Sequence, residues 1–243
     1  MPRTSLKDAV KKASHYYWKT HLDHWSCCDF SKRSSLLIFW YAAAGQPLPG
    51  EGVAWEWVDL LKAGQAHKLP ALRQRAWKSI QLVSSQIRKS EGLELVPWII
   101  SARAPWRRKW EELQEIYLIG PKIASWILRD LSLLLDYATV SPAGRLSYRS
   151  RRLTWFAQLT SDEQAYFIPI DQRVFSFAKQ NRILTGKLAH RSPASLWTNS
   201  DRYLQACTRI IEFALQRDVD PRELDQYWYL LGAGWIKPNG NPT

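Results

Sequence analysis

The chain has 243 residues, with 34 Lys and Arg against 22 Asp and Glu, a formal charge of +12 and 14 tryptophans. A content of 46% hydrophobic residues is enough for one large core or two lobes sharing one. No apolar run approaches the roughly 20 residues that span a bilayer, and the polar start Met1–Lys7 lacks a signal peptide's apolar stretch. The positive charge suits a polyanion, either nucleic acid or an anionic membrane surface, and the expectation is a cytoplasmic, nucleoid-associated, prokaryotic monomer.

Strand signals are scarce and helical spacing recurs, so the fold class expected is all-α. Ser31 to Ala44 reads as a buried helix around Leu36, Leu37, Phe39, Trp40 and Tyr41, closed by Gly45 and a turn at Pro47–Gly50. Pro70 to Lys89 places Leu72, Ala76, Ile80, Val83 and Ile87 on one face and Arg and Lys on the other, an amphipathic helix with a basic exterior. Pro105 suits a helix start that runs through Trp110 and Leu113 to Ile116. Gly120 breaks that helix, and Pro121 opens the next, through Trp126, Ile127, Leu131 and Leu134.

Ser141 to Arg152 is an irregular basic stretch with four arginines, read as a solvated surface loop, with DNA contact as the alternative. Asp171 precedes the apolar positions Val174, Phe175, Phe177 and Ala178 and is a natural helix N-cap. Asp201–Gln216 and Pro221–Leu231 are the last helices, and the polar tail from Lys237 to Thr243 is expected to fray.

Cys27, Cys28 and Cys207 lack metal-ligand spacing. The histidines, 15, 21, 24, 67 and 190, include His21 and His24 on one helical turn, but no metalloprotease glutamate accompanies them. No metal and no organic cofactor is expected.

Two segments carry chemistry. In Leu118-Ile119-Gly120-Pro121-Lys122-Ile123-Ala124, Gly120 permits a tight turn and lets backbone N–H groups approach a phosphate. Such a turn grips a DNA backbone without reading its sequence. Lys122 sits at the positive end of a helix dipole, where a lysine loses proton affinity and gains nucleophilicity; its plainer role is a phosphate contact. In Ile168-Pro169-Ile170-Asp171-Gln172-Arg173-Val174, Asp171 is a carboxylate fixed at a helix start. A carboxylate held there can stabilise the positive charge that develops on a sugar as its glycosidic bond breaks, or can simply cap the helix.

Together these segments resemble the helix-hairpin-helix DNA glycosylase superfamily, with its Leu-x-Gly-x-Gly-x-Lys hairpin and Pro-Val-Asp segment. Gly120 matches the second hairpin glycine and Leu118 stands in place of the first. The resemblance implies that Lys122 is the nucleophile, that Asp171 is the essential acid, and that Leu118, Ile119, Gly120, Pro121 and Arg173 bind the DNA backbone. The long Lys122–Asp171 separation and the lack of a four-cysteine cluster point to the 8-oxoguanine glycosylase branch, in a compact form similar to the archaeal one. That form carries a late helix with Leu-Asp, Trp and Leu-Gly, and Leu224-Asp225-Gln226-Tyr227-Trp228-Tyr229-Leu230-Leu231-Gly232 is similar, with Tyr229 at the tryptophan position.

The resemblance further implies that a flipped purine is sandwiched between Trp126 and Trp228/Tyr229, with Asp225 accepting hydrogen bonds from its edge. Core packing is the alternative for all three aromatics. It also implies two helical lobes around a DNA-binding cleft, about 1–50 with 172–243 and about 51–171, with the hairpin near 106–134. The expected activity is excision of an oxidised purine such as 8-oxoguanine from double-stranded DNA, with β-elimination at the abasic site. The alternatives are a glycosylase for a hypermodified or deazapurine base in anti-phage defence, and a noncatalytic DNA-binding module.

Overall fold

A computed structural model describes residues 5–26, 34–45, 51–140, 146–148 and 155–243. Cys27, Cys28, the Pro47–Gly50 turn and most of the basic stretch 141–152 lie outside them, as do the side chains of His21 and His24. The described chain is predominantly helical. Among its helices none is long and apolar enough to cross a membrane.

The first helices are α1 (Leu6–Ser26), α2 (Ser34–Ala44), α3 (Glu51–Lys62), α4 (Ala71–Glu91) and α5 (Leu95–Ile100). They are followed by α6 (Trp106–Gln114), α7 (Pro121–Tyr137), α8 (Ser161–Gln164), α9 (Gln172–Gln180), α10 (Pro193–Trp197), α11 (Ser200–Leu215) and α12 (Pro221–Gly232). α2 is apolar on every side, and every residue from Leu36 to Ala43 is buried. Such a helix must be wrapped by others, and α3, α4, α5 and α7 pack on it. α1 instead packs against α12, which also meets α9 and α11. The change of partner falls between α1 and α2. α7 lies between the two groups, touching α2 and α5 on one side and the turn Ala165–Phe167 on the other.

α4 buries Ala76, Ile80, Val83 and Ile87 as its spacing predicts. Leu72, expected on that face, is 56% exposed, because it sits at one edge of a buried stripe whose other edge extends to Arg73 and Ser84. A left-handed Gly92 (φ +69°) ends the helix and donates its N–H to the Arg88 carbonyl. Two short strands, β1 (Ala138–Val140) and β2 (Leu146–Tyr148), pair antiparallel, the second of them inside the Ser141–Arg152 stretch expected to be irregular. α8 opens with a Thr160–Glu163 capping box.

The tail does not fray among the described residues. The Tyr227 hydroxyl donates to the Pro238 carbonyl at 2.7 Å, and Ile236 bridges to Pro242. Gly240, at φ +80°, lies so close to α1 that a β-carbon there would sit 2.1 Å from the Ala9 carbonyl oxygen.

Candidate active site

A hollow of about 980 Å³ opens where the end of α2, the start of α7, the start of α9 and the end of α12 converge. Eight of the eleven residues singled out in the sequence line it. Leu118, Gly120, Pro121, Lys122 and Trp126 come from the turn and α7; Asp171 and Arg173 come from the start of α9; Tyr229 comes from α12. Ile119, Asp225 and Trp228 do not.

The turn between α6 and α7 reaches its shape without the first glycine. Leu118 itself adopts φ +74°, the left-handed conformation that glycine takes without strain and that costs a leucine about 1–2 kcal/mol. Gly120, expected to supply the unusual angle, has φ −95° and caps α7 in an extended conformation. A β-carbon on it would meet nothing within 4 Å, so this side of the turn is open to an approaching group. No side chain caps α7, and the amides of its first turn have no intrahelical acceptor. Ile119 turns into the core. The Tyr117 N–H is held by the Ser79 hydroxyl at 2.9 Å, and the Arg75 guanidinium lies 4.0 Å over the Tyr117 ring. The basic face of α4 thus borders the turn.

Lys122 leaves α7 at its first turn. Its Nζ donates to the Gly45 carbonyl at 3.2 Å and lies 5.0 Å over the Trp197 ring. Burial lowers the amine's proton affinity, and the negative charge of Asp171 partly restores it. Asp171 is the N-cap of α9, with its Oδ1 accepting from the Val174 N–H at 2.8 Å and its Oδ2 lying 3.6 Å from Arg173. One carboxylate oxygen is therefore tied to the helix and the other faces a cation.

Gly45 has a stricter role than ending α2. A β-carbon there would come within 2.6 Å of Ile123 and 2.9 Å of the Tyr41 carbonyl, so only glycine lets α2 meet α7 this closely. Sequence reasoning missed this, along with Trp197, whose segment offers a legible Ser192–Pro193 helix start but no sign that it returns to Lys122.

The aromatic sandwich is not preformed. The Trp126 and Tyr229 ring centres stand 6.4 Å apart with their planes inclined by 39°. A base held between two parallel rings needs them about 7 Å apart, two van der Waals layers. Trp126 also leans edge-on against Trp40 and Tyr41, and Arg173 lies 4.9 Å over Tyr229. Trp228 is buried, stacked on Phe177, which is the core role weighed for it.

Asp225 lies beneath the hollow, fully buried, with Oδ2 paired to Arg129. Arg129 also donates from Nε to Asp130 at 2.8 Å, and Asp130 accepts from the Tyr41 hydroxyl at 2.9 Å. Arg129, not Asp225, reaches the hollow's lining. The second oxygen of Asp225 has no protein partner among the described residues. Burial, against the pull of Arg129, pushes its carboxyl up to about 8, and Asp171 and Asp130 add to the shift.

A carboxyl raised on folding contributes stability that is full below its unfolded value of 3.8 and lost as pH rises through about 8. Asp225→Asn should therefore flatten the fall of the melting temperature across that interval; an unchanged slope would contradict the assignment.

Among the described residues no group of three His, Cys, Asp or Glu side chains is placed to hold a metal ion. The chain matches no family model, no curated protein and no solved structure.

Proposed function

We propose that the protein is a base-excision DNA glycosylase with abasic-site lyase activity, acting on an oxidised purine such as 8-oxoguanine in duplex DNA. The observation that carries this reading is the convergence of Lys122 and Asp171 on one hollow, with the amine part-buried and its proton affinity lowered. A module that only clamped phosphates would gain from a fully charged lysine and would have no use for a carboxylate facing the same space.

The duplex backbone is held by the open amides at the start of α7 and by cations around them, among which Arg75 borders the turn and Arg173 lines the hollow. The modified purine leaves the stack and enters against the aromatic wall of Trp126 and Tyr229, one of which shifts to admit it. As the C1′–N bond breaks, the electron pair leaves with the base and positive charge develops on the sugar, opposite the Asp171 carboxylate. The unprotonated Nζ of Lys122 attacks C1′ and gives up one of its two protons to the departing base; O4′ then leaves C1′, taking up a proton from solvent, and the second proton stays on nitrogen in the protonated Schiff base. Abstraction of a C2′ proton then expels the 3′ phosphate.

Borohydride trapping tests this. Incubation with duplexes carrying 8-oxoguanine, and then hypermodified and deazapurine bases, should yield a covalent adduct that maps to Lys122. Base release without any adduct would remove the lyase half, and neither release nor adduct across the set would overturn the whole reading.

A further inference from the structure

We infer that Trp197 is a positioning residue that couples the Lys122 amine to the segment bearing Asp171, an inference that rests on the glycosylase reading above. Its indole has two ends in use. The ring face lies 5.0 Å from Lys122 Nζ, inside the roughly 6 Å over which an aromatic face attracts a cation. The ring N–H donates to the Ile170 carbonyl at 2.8 Å, one residue before Asp171. The same segment is fixed from α11, where Tyr203 donates its hydroxyl to the Ile168 carbonyl and accepts from the Ile170 N–H. Trp197 is thus the side chain that touches the amine and the acid's backbone together.

The two ends do different work. Lysine's four-carbon stem leaves its amine free to wander; the ring face and the Gly45 carbonyl define where it rests. The ring also favours the ammonium form, opposing burial. The charged groups lining the hollow are Asp171 and Arg173 at the start of α9 and Arg129 on α7; α2, α10 and α12 bring no charged side chain to it among the described residues. A change at Trp197 removes none of these charges, and the Tyr203 bonds to Ile168 and Ile170 remain to hold the Asp171 segment.

Two substitutions separate the ends. Trp197→Leu removes the ring face, and the titration midpoint of Lys122 should fall by about 0.4 to 1.5 pH units. Trp197→Phe keeps an aromatic face but loses the N–H. The midpoint should then stay close to that of the unchanged chain, while single-turnover base release slows by about two- to ten-fold at unchanged duplex affinity.

The midpoint is read on the full chain without DNA, by competitive acetic anhydride labelling across pH and mass spectrometry of the Lys122 peptide. Trp197→Met serves the same comparison if the leucine variant does not fold. Equal midpoints in the unchanged chain and the leucine or methionine variant would overturn the inference, as would equal displacement by phenylalanine and leucine. An unchanged chain that releases no base from any duplex would overturn the glycosylase reading and leave the labelling result standing.

Discussion

Asp171→Asn should slow base release by about two to three orders of magnitude, with duplex affinity and melting temperature close to those of the unchanged chain. Asparagine caps a helix as well as aspartate does, so the hydrogen bond from the Val174 N–H survives the change and α9 keeps its start. What disappears is one negative charge facing the hollow. That charge has two effects of opposite sign on the reaction. It stabilises the developing sugar cation, and it raises the proton affinity of Lys122, which keeps more of the amine in its unreactive form.

The variant should therefore be slow at every pH, yet its acid limb, set by lysine deprotonation, should move to lower pH. Single-turnover release measured across pH reads both. A rate within a few-fold of the unchanged chain would leave Asp171 as a helix cap only.

Arg129→Met should cost about 3–5 kcal/mol of folding stability, the usual result of stripping one partner from a buried ion pair. Arg129 is 4% exposed and serves both Asp130 and Asp225. Methionine fills much of the same volume, so the loss is electrostatic: Asp130 is left without its cation, and Asp225 becomes a second stranded charge wherever it ionises. The Asp225 carboxyl can respond by staying protonated, so the damage should grow as pH rises. Pairing the change with Asp225→Asn removes one of the stranded charges and should recover part of the loss, because the two residues are in contact and their effects do not add. Urea denaturation of the two single variants and the double variant measures the coupling; strict additivity would mean that the ion pair contributes nothing specific.

The parts of this molecule that were legible in its sequence are those specified by local chemistry. The apolar run Leu36–Ala43 allowed no placement other than the interior, and the 3.6-residue spacing on α4 fixed its buried face apart from the exposed Leu72 at its edge. Gly120-Pro121 marked where α7 begins, and Asp171 marked where α9 begins. Contacts between distant segments were harder to read. Tyr229 and Trp228 are neighbours in sequence, but about 100° of helical rotation separates their side chains; one lines the hollow and the other is core. Asp225 was read as a group facing a base because no local signal reveals that Arg129, on another helix, takes one of its oxygens. Gly45 and Trp197 carry only turn and helix-end signals of their own. Their meaning comes from Ile123 and Lys122, which approach from α7.

The packing of α1 against α12, with Gly240 pressed onto Ala9, bears on how the chain is made. During synthesis α1 leaves the ribosome well before α12, its principal partner, which follows on the order of ten seconds or more later at ordinary elongation rates. α2 meets α3, α4 and α5 without such a wait, because they follow it directly. The α2–α5 cluster can therefore condense as the chain emerges, while the apolar side of α1, with Val10, Ala13 and Trp18, stays uncovered until α12 has emerged. Contacts this far apart in sequence slow folding, and a chain stalled before α12 leaves the apolar side of α1 exposed and prone to stick.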